Sequence, residues 1–142
     1  MSGMIAEINK LEKEYQGLKV LAGLDFTLKK GEIVCLLGPS GAGKTTLLNI
    51  MAGLSVPSAG SCRIFGKLSY VFQEDRLLPW KTVLQNVMFP GGKPDEEKAK
   101  AILEKLGLID FVNYYPAQLS GGMSQRAAIA RAFYAGGDLL LM

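Results

Sequence analysis

Gly38-Pro39-Ser40-Gly41-Ala42-Gly43-Lys44-Thr45 matches the pattern G-x-x-x-x-G-K-[ST] at every fixed position. Glycines at this spacing let the backbone curl until successive N–H groups face a single anion. A helix that starts at Lys44 adds the positive end of its dipole at the same spot. Lys44 brings a point charge suited to β- and γ-phosphates, and the Thr45 hydroxyl can ligate Mg²⁺. A simple glycine turn between strand and helix would leave the Lys-Thr pair unexplained.

A second stretch, Leu119-Ser120-Gly121-Gly122-Met123-Ser124-Gln125-Arg126, again sets a serine and glycines at a helix start. Backbone donors and a hydroxyl can face an anion there too. Taken alone, this stretch is more simply an ordinary helix N-cap with Ser120 as the capping residue.

The elements that must position these residues can be read from periodicity. Leu24, Phe26 and Leu28 alternate with Asp25 and Thr27, which predicts a strand with one buried face. Ile33 to Leu37 is an unbroken apolar run, predicting a strand covered on both faces as in a parallel sheet. Lys44 to Leu54 predicts a helix with Leu47, Leu48, Met51 and Leu54 on one face. Residues 61–65 and 68–72 predict two short strands around Gly66, paired as a small antiparallel element. Thr82 and Gln85 form a capping-box pattern. A helix over 95–106 follows Pro94, with acids in its first turn, Gly107 after it, and a stripe of Ala99, Ile102, Leu103 and Leu106. A last helix runs from about Gly122 to Ala135, stopped by Gly136-Gly137, before the apolar run Leu139 to Met142.

Together, the Gly38–Thr45 loop, Phe72-Gln73-Glu74 and the Leu119–Arg126 stretch resemble the nucleotide-binding domains of ABC transporters over essentially the whole chain. Val71 to Trp80 is most similar to the importers of nitrate, sulfonate and taurine. This resemblance implies an α/β fold, a P-loop NTPase core with a small antiparallel β element and a helical subdomain. The implied divisions are 1–72, 73–118 and 119–142. It implies ATP and Mg²⁺ as cofactors, with Gly38, Pro39, Ser40, Gly41, Ala42, Gly43, Lys44, Thr45 and Thr46 around the nucleotide. Tyr15 would stack on adenine beside Val20; otherwise it is a half-exposed tyrosine at a strand end. Gln73 would join Thr45 at the Mg²⁺ and reach the attacking water; otherwise it is a polar residue ending a strand.

Ser120, Gly121 and Gly122 are implied to contact the nucleotide of a second ABC ATPase domain, paired head to tail. The other implied partners are an integral-membrane permease subunit and a substrate-binding protein of the same system. That places the chain in the cytoplasm, peripheral on the inner face of the cell membrane. Leu77-Leu78-Pro79-Trp80 is either a docking surface for the permease or part of the packing of the helical subdomain.

The chain departs from the family pattern in a compact stretch between Lys44 and Gln73, which implies a reduced antiparallel subdomain, in lacking the later switch histidine, and after the signature helix. The strand after the signature helix ordinarily ends in Asp-Glu, the Mg²⁺-holding aspartate and the catalytic base. Asp138 precedes the run Leu139-Leu140-Leu141-Met142, whereas a metal ligand belongs at the carboxyl end of such a strand. The fold is therefore expected to be incomplete at its C-terminus. Two functions follow: an importer's ATP-binding subunit, or a nucleotide-binding fragment that does not hydrolyse ATP.

Composition narrows the field further. The 142 residues are 49% hydrophobic and 20% charged, an ordinary globular balance. A net charge of +3 without a basic cluster gives no footprint for nucleic acid. No apolar stretch reaches the roughly 20 residues of a membrane helix. Cys35 and Cys62 lie in apolar runs and are expected to be buried reduced thiols. The absence of histidine argues against a His/Cys metal cluster.

Overall fold

The computed structural model describes residues 3–142 and divides into two compact units, residues 3–68 and Ser69–Leu140.

The first unit is built on three antiparallel strands: β1 (Met4–Tyr15), β2 (Leu18–Lys29) and β3 (Ala59–Ile64). β1 is central and pairs with β2 on one side and β3 on the other. Sequence periodicity does not reveal β1, because bulges break its two-residue repeat. Register shifts fall between Ile8 and Leu11, where Lys10 takes a positive φ of 45°. Ile5, Ala6, Ile8 and Leu11 are nevertheless its buried face.

Helix α1 (Lys44–Met51) is shorter than predicted. Gly53 has φ 72°, and Gly53 N–H donates to Ile50 O at 3.0 Å while Leu54 N–H donates to Asn49 O at 2.8 Å. This Schellman closure ends the helix and leaves Leu54 exposed, off the stripe assigned to it. The buried face is Leu47, Ile50 and Met51.

Two predicted strand arrangements are corrected. Ile33–Leu37 forms no strand; Ile33 is 94% exposed and Leu37 92%. A strand buried on both faces needs neighbours at both edges, and no strand pairs with this run among the described residues. Cys35, within it, is exposed rather than buried; Cys62, in β3, is half-buried, and burial pushes its thiol pKa up. The strands on either side of Gly66 do not pair with each other. β3 joins β1, and β4 (Leu68–Tyr70) pairs with β5 (Leu139–Leu141), a choice of partner set by distant segments.

The second unit packs three helices around one core: α2 (Val83–Met88), α3 (Glu96–Lys105) and α4 (Gly121–Ala135). Val83, Val87, Ala99, Leu103 and Leu108 meet the alanine-rich face of α4 there. Each helix closes as its sequence directs. Thr82 and Gln85 make a reciprocal capping box at α2. Asp95 caps α3 by accepting from Lys98 N–H at 3.0 Å. Gly107, at φ 68°, ends α3 in a Schellman turn that seats the fully buried Leu108 over Leu103. Tyr134, near the end of α4, accepts from Asp95 N–H through its hydroxyl at 2.8 Å.

Candidate functional site

The glycine loop is positioned by α1 and β2. Gly43 is the N-cap of α1 at φ 88°, without a side-chain cap. A Cβ there would lie 3.0 Å from the Val20 carbonyl oxygen and 3.0 Å from the Leu21 side chain. Only glycine lets the helix start close so tightly on β2, and that closure sets Val20 against the base of the loop. Gly41 has φ 82°, and Ala42 N–H donates to Pro39 O at 3.2 Å, closing a tight turn. The Lys44 ammonium donates to Gly38 O at 2.6 Å and Pro39 O at 2.7 Å, so the charge sits at the mouth of the curl.

Residues 38–42 and Thr45 are exposed, and Thr46 is half-buried. The first turn of α1 carries no acidic residue to cancel the positive helix end. Ammonium, hydroxyls and backbone N–H groups, with no carboxylate in the loop, form a donor set that fits a polyphosphate. The exposed Thr45 hydroxyl is an oxygen in the set that could ligate a hard cation accompanying it.

Tyr15 and Val20 lie at one end of the β1–β2 ribbon, where Tyr15 pairs with Leu18 and Glu14 with Lys19. The Tyr15 ring is 47% exposed, with the Lys13 ammonium 4.8 Å from its centroid. Val20 and Leu21 of β2 are the residues that lie close against Gly43 at the base of the loop.

The second motif lies at the start of α4. Ser120 is the N-cap, and its hydroxyl accepts from Met123 N–H at 3.3 Å. Ser120, Gly121 and Gly122 are exposed, and no acid occupies the first turn. Arg126 ties this helix start to the end of α3, donating to Leu106 O at 2.9 Å. The start is thus both an ordinary cap and an open, donor-rich helix end.

Gln73 is exposed and lies outside any strand, beyond the end of β4. It belongs to the second unit with Ser120–Gly122, while Thr45, Lys44 and Val20 belong to the first. The residues after Gln73 are held closely. The Arg76 guanidinium stacks 3.9 Å over the Phe72 ring. Arg131 of α4 donates to the carbonyls of Asp75 and Arg76 at 2.7 and 2.8 Å. Burial pulls the Arg131 pKa down, and the Asp75 charge opposes that. Trp80 is 70% exposed, which decides between its two sequence-level roles in favour of a surface position.

Sequence reasoning missed two residues here, Arg131 and Asn86. Each is a polar side chain interrupting an apolar helical face, Arg131 among buried alanines and Asn86 between Val83 and Val87. That interruption was the available signal.

Residues 21–142 match the family described as ABC transporter. The chain is 46% identical over its full length to an aliphatic sulfonates import ATP-binding protein, SsuB 1, of Pseudomonas syringae pv. syringae, covering 61% of that protein. It is 43% identical to an SsuB of the same description from Corynebacterium glutamicum, over 96% of this chain and 59% of that one. The chain thus spans about three fifths of the length of these relatives. Among solved structures, a dimeric ATP-binding cassette in a post-hydrolysis state, bound to ADP and Pi, superposes with a TM-score of 0.84. That likeness has 31% identity and covers 92% of this chain and 70% of the other.

Proposed function

The chain belongs to the ABC transporter family, and on that premise we propose that it is the ATP-binding part of an importer. In this role it couples ATP binding and hydrolysis to the passage of a solute through a membrane permease. The observation that carries the proposal is the lysine-bearing glycine loop, closed by Gly43 onto Val20 and open to solvent along residues 38–42. The names of its relatives point to an aliphatic sulfonate as the cargo.

In this function Lys44 and the loop N–H groups hold the phosphates, Tyr15 stacks on adenine beside Val20, and Thr45 with Gln73 holds Mg²⁺. Ser120, Gly121 and Gly122 complete the site of a second copy paired head to tail. The exposure of that helix start is what such a contact requires. The exposed Pro79-Trp80 pair is the face offered to the permease, since tryptophan in such positions commonly anchors an interface. A substrate-binding protein would deliver the solute on the far side of the membrane, leaving this chain at the cytoplasmic face. No helix among the described residues is long and apolar enough to cross a membrane.

Titration with Mg·ATP tests the proposal. Charge-assisted bonds from a lysine contribute about 1.5–3 kcal/mol, so Lys44→Ala should weaken ATP about 10- to 100-fold. An unchanged affinity would sink it. Measuring phosphate release alongside separates hydrolysis from binding without turnover, the alternative function for the chain.

A further inference from the structure

Trp80 stands at the third position of a four-residue turn, Leu78 to Lys81, closed by Lys81 N–H donating to Leu78 O at 3.1 Å. Pro79 at the second position presets the backbone for such a turn. An exposed turn with one closing bond ordinarily moves freely. This one is fastened from beneath.

Asn86 of α2 is completely buried. Its carboxamide oxygen accepts from Leu78 N–H at 2.7 Å. Its NH₂ group faces the carbonyls of Leu78, Lys81 and Thr82, at 3.1, 3.0 and 3.1 Å. One side chain therefore grips both ends of the turn and takes Leu78 by donor and acceptor together. The adjoining Leu77 is buried and anchors the approach.

A buried asparagine could simply be a satisfied part of helix α2. The distribution of its bonds speaks against that. Thr82 and Gln85 already close the helix start without it. Only the Thr82 carbonyl belongs to the local helical turn, and the other three contacts reach out to Leu78 and Lys81. A carboxamide is the group that can do this, offering two donors and an acceptor in one plane.

We propose that Asn86 is the positioning residue for Trp80: it locks the Leu78–Lys81 turn so that the exposed indole is already ordered when the membrane partner arrives. Ordering in advance removes an entropy cost that binding would otherwise carry. The purpose assigned to this order rests on the permease-docking reading of Trp80; the order itself does not.

Trp80 is the single tryptophan of the chain, so time-resolved tryptophan anisotropy reports this turn alone. Asn86→Leu should at least double the amplitude of fast local indole motion while helix content by circular dichroism is retained. Asn86→Asp keeps an acceptor for Leu78 N–H but sets a carboxylate oxygen against the buried carbonyls of Leu78, Lys81 and Thr82, so it should loosen the turn at least as much as Asn86→Leu. Pro79→Gly, which loosens the turn without touching Asn86, should reproduce the Asn86→Leu signal. Folded Asn86→Leu protein with unchanged anisotropy overturns the proposal.

Hydrogen exchange on the unaltered chain gives a result even where variants fail to fold. Leu78 N–H should exchange at least 100-fold more slowly than an open amide, and an unprotected Leu78 N–H overturns the proposal as well. Loss of permease coupling in Trp80→Ala tests the docking role separately. Either idea can therefore fail while the other stands.

Discussion

The two glycine-rich helix starts, at α1 and at α4, look alike in sequence and are built on different physics. Gly43 begins α1 in the left-handed region with no side-chain cap, pressed against the Val20 carbonyl and followed by a lysine folded over its own loop. Ser120 begins α4 in extended geometry with a hydroxyl cap, and a Cβ at Gly121 or Gly122 would meet nothing within 4 Å. The first start combines backbone curl with a full positive charge, the combination on which the proposed phosphate site rests. The second has only neutral donors, so it can add to an anion site whose charge comes from elsewhere. That division of labour suits a nucleotide held mainly by one chain and completed by another.

One methyl group applied at both starts should separate them most sharply. Gly43→Ala combines a left-handed φ with a close approach to backbone, and strain plus overpacking should cost about 3 kcal/mol. Urea unfolding would measure it, with nucleotide affinity falling in parallel. A loss under 1 kcal/mol would mean that the close seat on β2 is not needed. Next comes Lys44→Ala, with its 10- to 100-fold loss of Mg·ATP affinity and little change in unfolding midpoint, a pattern that belongs to the first start only.

Ser120→Ala removes a cap and should destabilise by about 1 kcal/mol. ATP affinity of a single chain should stay within error, whereas a paired form should be weakened. If the lone chain loses ATP affinity, the proposed division between the two starts is wrong. Smallest is Gly121→Ala, which replaces an exposed helical glycine with nothing to strike and should stabilise by about 0.5–1 kcal/mol. Its sign, opposite to that of Gly43→Ala, is the finest check on the comparison.

What could be read in the residues divides by range. The glycine loop, the Thr82–Gln85 box, the caps of α3 and the Ser120 start are dictated by neighbours within one turn, and each appears where its residues place it. Pairing between distant segments was not legible. β1 hides behind the bulge at Lys10, β3 and β4 take partners about 50 and 70 residues away rather than each other, and Ile33–Leu37 has the composition of a strand without a pairing edge. Trp80 was undecidable because Leu-Leu-Pro-Trp suits either a core or a surface. Its 70% exposure puts it at the surface, and no local rule announces an asparagine that grips a turn eight residues upstream.

The bare Ile33–Leu37 run has a practical side as well. It is a short, uncharged, β-prone segment without proline, exposed throughout and most of all at Ile33 and Leu37. Segments of that kind stack edge to edge with copies of themselves, and here the gatekeepers are only the flanking Glu32 and Gly38-Pro39, with none inside the run. Precipitation of the chain at high concentration should therefore start beside the phosphate loop, and a charge placed at Val34 or Leu36 should delay it.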